Sequence, residues 1–504
     1  MDEKQTPKEE ESDKLTRKMS QWQQANPQTT LTEMEQAVEA ELAQLRKQLV
    51  EEMVREKETA NQEEPDCPQC GAKMVKNGRR ERKLKGKKDK RSSLSGSNGV
   101  VPHVGQRFFP LDRALGLLRG AYTPQVQEAI TRLSSRMSYR EAHQELELLW
   151  KVDISRGSMR EVTMRHGRVA DVLIEEKVAH LEATAPVPTA QPEQMVMGTD
   201  GAMVQLTSGE WREVKTVTLG EFRPHWDAKQ RKVVTKTEQI SYFSRVETAD
   251  VFSRSALVEW HRRGGENAHT VVAVQDGALW IQSFVDYHCP QAVRVIDFAH
   301  AQEYVATVGR AIHGAETDAF QQWYARISKQ LSRQPPQRTV NELRLMRRQH
   351  PDHPEGERID LAIRYLEKRL PMIDYPHFRR RQIPIGSGNV ESGHKVVMQQ
   401  RMKQAGMRWA EESLNPMLAL RVALCNQTWK TTWWEIEARV RQEKYPVKAA
   451  KHRVSNTAND SRVVTEEDCR PMTTLADRLR RKKRQPWQNN NWIFPYRQYS
   501  IHKN

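Results

Sequence analysis

Apolar residues recur every three or four positions from Leu31 to Met53, through Met34, Val38, Leu42, Leu45 and Leu49, with Glu, Arg and Lys between them. The spacing predicts an amphipathic helix over residues 29–62, opened by Thr30 or Thr32 as cap. Such a stripe serves equally to pair two chains as a coiled coil or to pack the helix on its own protein, and both readings stand. Residues 1–28 are polar and read as a disordered tail. Helical periodicity returns over 107–185. There Ser138–Trp150 carries an apolar stripe at Ala142, Leu146, Leu149 and Trp150, with Ser138 as cap and Glu141 at the capping-box position. A short turn, Lys151–Ile154, leads to Ser155, a second cap, and to a helix bearing Arg156, Arg160, Arg165 and Arg168. Helix, short turn and Arg-bearing helix form a helix-turn-helix pattern, which plain αα-hairpins share.

After the linker Pro186–Pro192 the period changes. Strand-like runs at 195–207, 211–219 and 234–245 precede a helix pattern at 248–263, a strand at 270–275, a helix from 278 and a strand at 292–297. Residues 298–375 return to helix, broken by Pro335–Pro336 and by Pro351–Pro354, and a last long helix runs from Val390 to Lys403. The order β-β-β-α-β-α-β, helical block, α predicts an α/β class. In that class it fits a ribonuclease-H-like core over 193–300, a helical insertion over 301–380, and the end of the core over 381–435. The mostly helical region 107–185 precedes it.

Charge adds a partner. The 504-residue chain has 81 Lys plus Arg against 65 Asp plus Glu, a formal net charge of +16. That excess favours a polyanion, because each neutralised phosphate releases counterions. The region 107–185 is accordingly read as DNA-binding. Hydrophobic residues at 37% are few for the length, in keeping with polar segments around a folded centre, among them a basic tail at 436–504 with the run Arg478–Arg484. No apolar run reaches the length of a membrane span and Met1–Lys14 is charged throughout. No membrane partner and a cytoplasmic, nucleoid-associated location are therefore expected. Five cysteines are an odd count without framework spacing and read as reduced thiols. Cys67 and Cys70 have the spacing of a zinc knuckle, but a closed site needs four ligands. The segment that would supply the second pair holds Val101 and Val104 around His103, so 63–106 reads as a degenerate knuckle with zinc in doubt.

Three segments set one carboxylate beside glycine: Gly198–Thr199–Asp200–Gly201, Gln275–Asp276–Gly277–Ala278 and Gly386–Gly393, which contains Glu391. In the expected fold Asp200 lies on the first strand, Asp276 at the end of the fourth beside it, and Glu391 on the final helix. Three hard carboxylates so gathered suit Mg²⁺ or Mn²⁺, and two such ions stabilise both the attacking and the leaving oxygen of a phosphodiester. A glycine after each Asp would let metal or substrate approach closely. Taken singly, an Asp-Gly pair is most often a turn. Asp297 and His300 end the fifth strand; Asp297 is a further metal-ligand candidate and His300 a group for orienting phosphate or water. Lys395, Arg401 and Lys403, with His394 and Gln399, would follow a DNA backbone from the final helix. Trp323, Trp409, Trp429, Trp433 and Trp434 read as packing residues.

At these residues the chain resembles bacterial insertion-sequence transposases of the ISKra type, relatives of the Mutator-like DDE transposases. The resemblance runs from about Cys67 to Trp434. It rests on Phe108–Asp112, Asp200–Val204 with Trp211–Lys215, Asp276–Gln282, Asp297–His300, and Gly386–Gly393 followed by Arg401–Lys403. It implies that Asp200, Asp276 and Glu391 are a catalytic DDE triad using Mg²⁺, with Asp297 and His300 as the Asp-x-x-His signature. The implied activity is cutting double-stranded DNA at element ends and joining the 3′-hydroxyls to target DNA, as a homo-oligomer on its substrate. The alternative is a non-catalytic DNA-binding remnant or repressor. Valine at 101 and 104, where the family pattern has cysteine, puts zinc-dependent end recognition in doubt.

Overall fold

The computed structural model describes residues 7–60, 73–89, 91–100, 107–229 and 231–444. They fall into two units, one reaching to Val169 and resuming at Lys430, the other spanning Ala170–Trp429.

The first unit begins with the paired helices α1 (Pro7–Ala25) and α2 (Leu31–Ala60). α1 corrects the reading of 1–28 as a disordered tail. Leu15, Met19 and Trp22, spaced four and three apart, are half-buried, and Lys18 pairs with Glu41 of α2 at 2.7 Å. α2 starts at a reciprocal cap: the Thr30 N–H donates to Glu33 at 2.7 Å, and the Glu33 N–H donates to Thr30 Oγ1 at 3.4 Å. Val54, beside the stripe rather than in it, is buried with Leu84, Leu94 and Leu111, whereas Val38, Leu42 and Leu49 of the stripe itself are exposed, so both readings of the stripe stand. Leu31 and Met53 stay largely exposed.

β1 (Val75–Lys85) and β2 (Arg91–Val100) form an antiparallel hairpin edged by β3 (Arg107–Phe108). The degenerate-knuckle reading of 63–106 had no strands. Cys67, Cys70, Val101, His103 and Val104 lie outside the described residues, as does the run Arg478–Arg484.

Helices α3 (Pro110–Ala114), α4 (Pro124–Arg136), α5 (Tyr139–Trp150) and α6 (Arg156–Thr184) follow. Ser138 closes the expected capping box: its Oγ accepts from the Glu141 N–H at 3.2 Å, and Glu141 accepts from the Ser138 N–H at 2.9 Å. Val126 and Ile130 of α4, Ala142 and Leu146 of α5, Val152 and Ile154 of the turn, and Met159 and Val162 of α6 make one core. The turn is short because its own apolar residues are part of that core. Leu149, expected on the buried stripe, is 62% exposed, since the packed face passes through Ala142 and Leu146.

In the second unit come β4 (Gln194–Gln205), β5 (Trp211–Asp227), β6 (Lys232–Arg245), α7 (Ala249–Ser255), α8 (Leu257–Arg262), β7 (Thr270–Gln275), α9 (Leu279–His288) and β8 (Val293–Ile296). They build one mixed sheet in the order β6-β5-β4-β7-β8. β4, β5 and β6 are successively antiparallel, while β4, β7 and β8 are parallel. Helices α10 (Phe298–His313), α11 (Asp318–Arg333), α12 (Pro336–Gln349), α13 (Gly356–Glu367) and α14 (Tyr375–Arg380) follow.

Strand alternation sends the central side chains to opposite faces. Val196, Val272 and Val274 pack with Val305, Ile327, Leu343, Ile359 and Phe378 of α10–α14. Met195, Met197, Val271 and Ala273 pack with Phe252, Leu257, Trp260 and Phe284 of α7–α9. The class is therefore α/β, a mixed sheet between two helical layers. The chain continues through α15 (Gly388–Gly393), a π-helical turn (His394–Gln399), α16 (Gln400–Met402) and α17 (Leu414–Cys425). The final helix α18 (Trp429–Lys444) replaces the start of the expected basic tail and returns to the first unit, where Trp433 meets His166 edge-on at 4.9 Å. No described helix is long and apolar enough to cross a membrane.

The core of α4–α6 gives a direct test. Leu146→Ala should lower stability to urea by about 2–5 kcal/mol, and Leu149→Ala by about 0.5 kcal/mol or less. Equal losses would overturn the assigned packing face.

Candidate functional site

Asp200 lies on β4 opposite Thr216 of β5, two residues beyond Gly198, which pairs with Val274. Parallel pairing of β4 with β7 brings Asp276, one residue past the end of β7, to the same side of the sheet. α15 crosses this region closely: a Cβ on Gly198 would stand 3.3 Å from the Val390 Cβ, and one on Gly393 would stand 2.7 Å from Thr218. That approach carries Glu391, itself exposed, to the sheet.

The electrostatics register the gathering. The Asp200 carboxyl is pushed above its ordinary range, first by burial and then by the charges of Asp276, Glu213 and Glu391. The Gly201 N–H, donating to Oδ1 at 2.7 Å, works the other way. Asp200 is therefore repelled by both other acids read from the sequence, and by a fourth, Glu213. Among the described residues, no group of three or more His, Cys, Asp or Glu side chains stands close enough as placed to hold a metal ion. The fit to a divalent cation rests on donor chemistry: hard carboxylate oxygens whose repulsion a dication would relieve.

Glu213 is held by Lys215, whose Nζ lies 2.7 Å from Oε2. Lys215 is buried, donates to the Glu247 carbonyl at 2.9 Å and stands 5.5 Å from the centre of the Trp280 ring. Glu213 and Lys215 have a sequence signal, two charges at alternate positions leading into the apolar run Val217–Leu219. The glycines beside the acids do something other than expected. A Cβ on Gly201 would collide with the Glu213 carboxylate, and one on Gly277 with Tyr365 and Arg369. The room is filled by the chain's own side chains, and Gly277 also needs its left-handed φ of 86°.

Tyr365 and Arg369 fix the Asp276 turn. The Tyr365 hydroxyl donates to the Asp276 carbonyl, and Arg369 donates to the Gly277 carbonyl at 2.9 Å while lying over the Tyr365 ring at 3.9 Å. Tyr365 stacks on Tyr304 at 3.8 Å, and His300 meets both rings edge-on at 6.0 and 5.3 Å. Burial pushes the Tyr365 phenol up, so it stays protonated as a donor. Asp276 Oδ1 accepts from the Ala278 N–H at 2.8 Å.

Asp297 departs from the ligand role. Its Oδ1 accepts from the His300 N–H at 2.9 Å, capping α10, and its Oδ2 accepts from the Ser387 N–H. The Phe298 N–H also donates to the Ile385 carbonyl at 2.9 Å. Buried, with both oxygens engaged by backbone, Asp297 anchors the Gly-rich loop that launches Glu391.

His394, expected on a DNA-facing side, is buried, with Nδ1 3.7 Å from Asp200 Oδ2 and Nε2 without a partner among the described residues. Burial lowers its pKa, favouring the neutral ring. Arg401 is corrected too. It is 1% exposed, with its guanidinium 5.0 Å over the Trp409 ring and a bond to Met407 Sδ, so it is a core residue. Lys395 and Lys403 are exposed. Of the arginines on α6, Arg156 and Arg160 are exposed, whereas Arg165 is half-buried and donates to the Arg119 carbonyl at 3.0 Å. Trp323, Trp409, Trp429 and Trp433 are buried as expected, but Trp434 is 68% exposed because α18 turns it away from Trp433. No family model and no curated protein matches the chain.

Two outcomes test this geometry. Because the folded Asp200 holds its proton more tightly than the unfolded chain does, its contribution favours folding below the ordinary aspartate range and is lost as pH rises through the raised value. In metal-free buffer Asp200→Asn should therefore raise the melting temperature at pH 7, with the gain vanishing in acid; a gain independent of pH would contradict the carboxylate repulsion. Asp297→Asn turns one acceptor into an NH₂ that faces an N–H. Hydrogen exchange should then accelerate across Ser387–Glu391, and unchanged exchange would remove the anchoring role.

Proposed function

We infer that the chain is a DNA transposase, a metal-dependent enzyme that cuts double-stranded DNA and transfers its 3′ ends. The observation that carries this reading is the convergence on Asp200 of strand β4, the end of β7 with Asp276, and α15 with Glu391; the Asp200 carboxyl is raised first by burial and then by the charges of Asp276, Glu213 and Glu391. Clustered carboxylates cost stability unless a cation is part of their function. The strand order β6-β5-β4-β7-β8, with β5 antiparallel to both neighbours, supports a ribonuclease-H-like core. The helices α10–α14 correspond to the insertion expected within it.

Asp200, Asp276 and Glu391 would hold Mg²⁺, which when bound lowers the pKa of water and stabilises charge on both oxygens of a displaced phosphodiester. The chain's own residues account for the rest. Tyr365 and Arg369 grip the carbonyls of Asp276 and Gly277, so the acid is presented from a fixed turn. Asp297 fixes the start of α15 and thereby the approach of Glu391. Neutral His394 packs against Asp200 and limits its rotation. Lys215 offsets Glu213, leaving the site short of one negative charge. His300, partly exposed beside Tyr304 and Tyr365, is a group that would orient a bound phosphate or water. Lys395 and Lys403, together with Arg156 and Arg160, supply exposed cations for the DNA backbone.

The test incubates purified protein and Mg²⁺ with labelled duplexes carrying the sequences that flank its coding region. Wild type should give 3′-hydroxyl cleavage and joined products, and Asp276→Ala should lose at least roughly a hundredfold in rate. Binding without cleavage by wild type would make the protein a non-catalytic DNA-binding remnant. Equal rates for the two proteins would refute the acids assigned.

A further inference from the structure

Helices α12 and α13 border an open, solvent-facing cavity of about 710 Å³, lined by Arg344, Arg347, Arg348 and Arg364 with Asp360 and Glu367. Two of the four guanidiniums are neutralised in place. Arg344 pairs with Glu367, and Arg347 pairs with Asp360 at 3.0 Å while donating to the carbonyls of His350 and Pro351 at 2.7 and 2.8 Å. These bonds hold the walls and use both acids. Arg348 and Arg364 have no acidic partner among the described contacts; Arg364 makes a bond through Nε to the Asp360 carbonyl at 3.3 Å, which leaves its two terminal nitrogens directed elsewhere. Both residues are exposed. The cavity thus carries two uncompensated cations in a concave frame that is itself fixed by ion pairs.

We propose that this α12–α13 cavity binds the phosphodiester backbone of double-stranded DNA through Arg348 and Arg364, as a second contact separate from the carboxylate site. Guanidinium forks match phosphate oxygens in pairs, and are less strongly hydrated than ammonium groups. The lining has no aromatic side chain on which a base would stack, so a free nucleotide or a single-stranded base has no platform there. Backbone contacts of this kind position a duplex without reading its sequence. The choice of DNA rests on the functional reading above, whereas the phosphate chemistry follows from the cavity alone.

The experiment measures binding of the full chain to a fluorescein-labelled 40-base-pair duplex of mixed sequence across a series of salt concentrations. It compares wild type, the double variant Arg348→Gln with Arg364→Gln, and a control of equal charge loss on α11, Lys329→Gln with Arg333→Gln. Each contacted phosphate contributes about one unit to the salt slope, so the cavity variant should reduce that slope by about two and weaken binding, while the control changes less than half as much. Equal effects from the two variants would reduce the cavity to part of the general charge, and no effect from the cavity variant would remove it; both overturn the proposal. A duplex RNA of the same length bound through the same two arginines more tightly than the DNA would overturn the choice of DNA. Since no cleavage is measured, an inactive enzyme leaves this test intact. A wild type that bound no duplex would refute the nucleic-acid partner itself and with it the functional reading.

Discussion

The Asp297 carboxylate is the bond on which the site's geometry turns. One oxygen caps α10 and the other takes the Ser387 N–H, ninety residues further along the chain. Between these two positions runs the whole block α10–α14, whose Val305, Ile327, Leu343 and Ile359 share one core with Val196, Val272 and Val274 of the sheet. Asp297, just past the end of β8, and Ser387, just before α15, stand at the two ends of that block. Asp297 ties those ends together, and the bond between Phe298 and Ile385 doubles the tie. Glu391 is therefore positioned by the strand end that precedes α10. A charged acceptor is suited to the task, since bonds to ionised groups are stronger than neutral ones.

Gathering acids has a cost that the surrounding residues share out. Burial and three neighbouring charges all oppose ionisation of Asp200, while the Gly201 N–H favours it. Glu213 is offset by the buried Lys215, whose own charge is stabilised by the Glu247 carbonyl and the face of Trp280. The same economy governs the glycines. Gly201 and Gly277 make room for Glu213, Tyr365 and Arg369, so the backbone beside each acid is packed rather than open. The rigidity of the acids comes from that packing.

Much of this was legible from local pattern. The β-β-β-α-β-α-β succession of the core, the breaks at the prolines, and the capping box at Ser138 follow from periodicity and turn chemistry that act within a few residues. What failed depended on distant partners. The helix at Pro7–Ala25 needs α2 to bury Leu15, Met19 and Trp22, and so looked like a polar tail. Arg401 reads as a surface cation until Trp409 covers it, and Leu149 reads as core until the packed face is known to pass through Leu146. Asp297 is the clearest case: in sequence it is one more acid near a site, and only the fold reveals that both its oxygens are taken.

The helical stretch from α15 to α16 shows how such long-range demands override local regularity. From His394 to Gln399 it winds as a π-turn, a form that is seldom stable without help and recurs at functional sites. The help comes from Arg421 of α17, buried, which donates to the carbonyls of Val396 and Val397. An α-helix running on from Gly393 would advance by 100° at each residue without the extra one. Along this wider turn His394 packs beside Asp200, and Val397 and Met398 enter the core. Arg401 then falls inside as well, over Trp409. Its burial removes it from any DNA-facing surface.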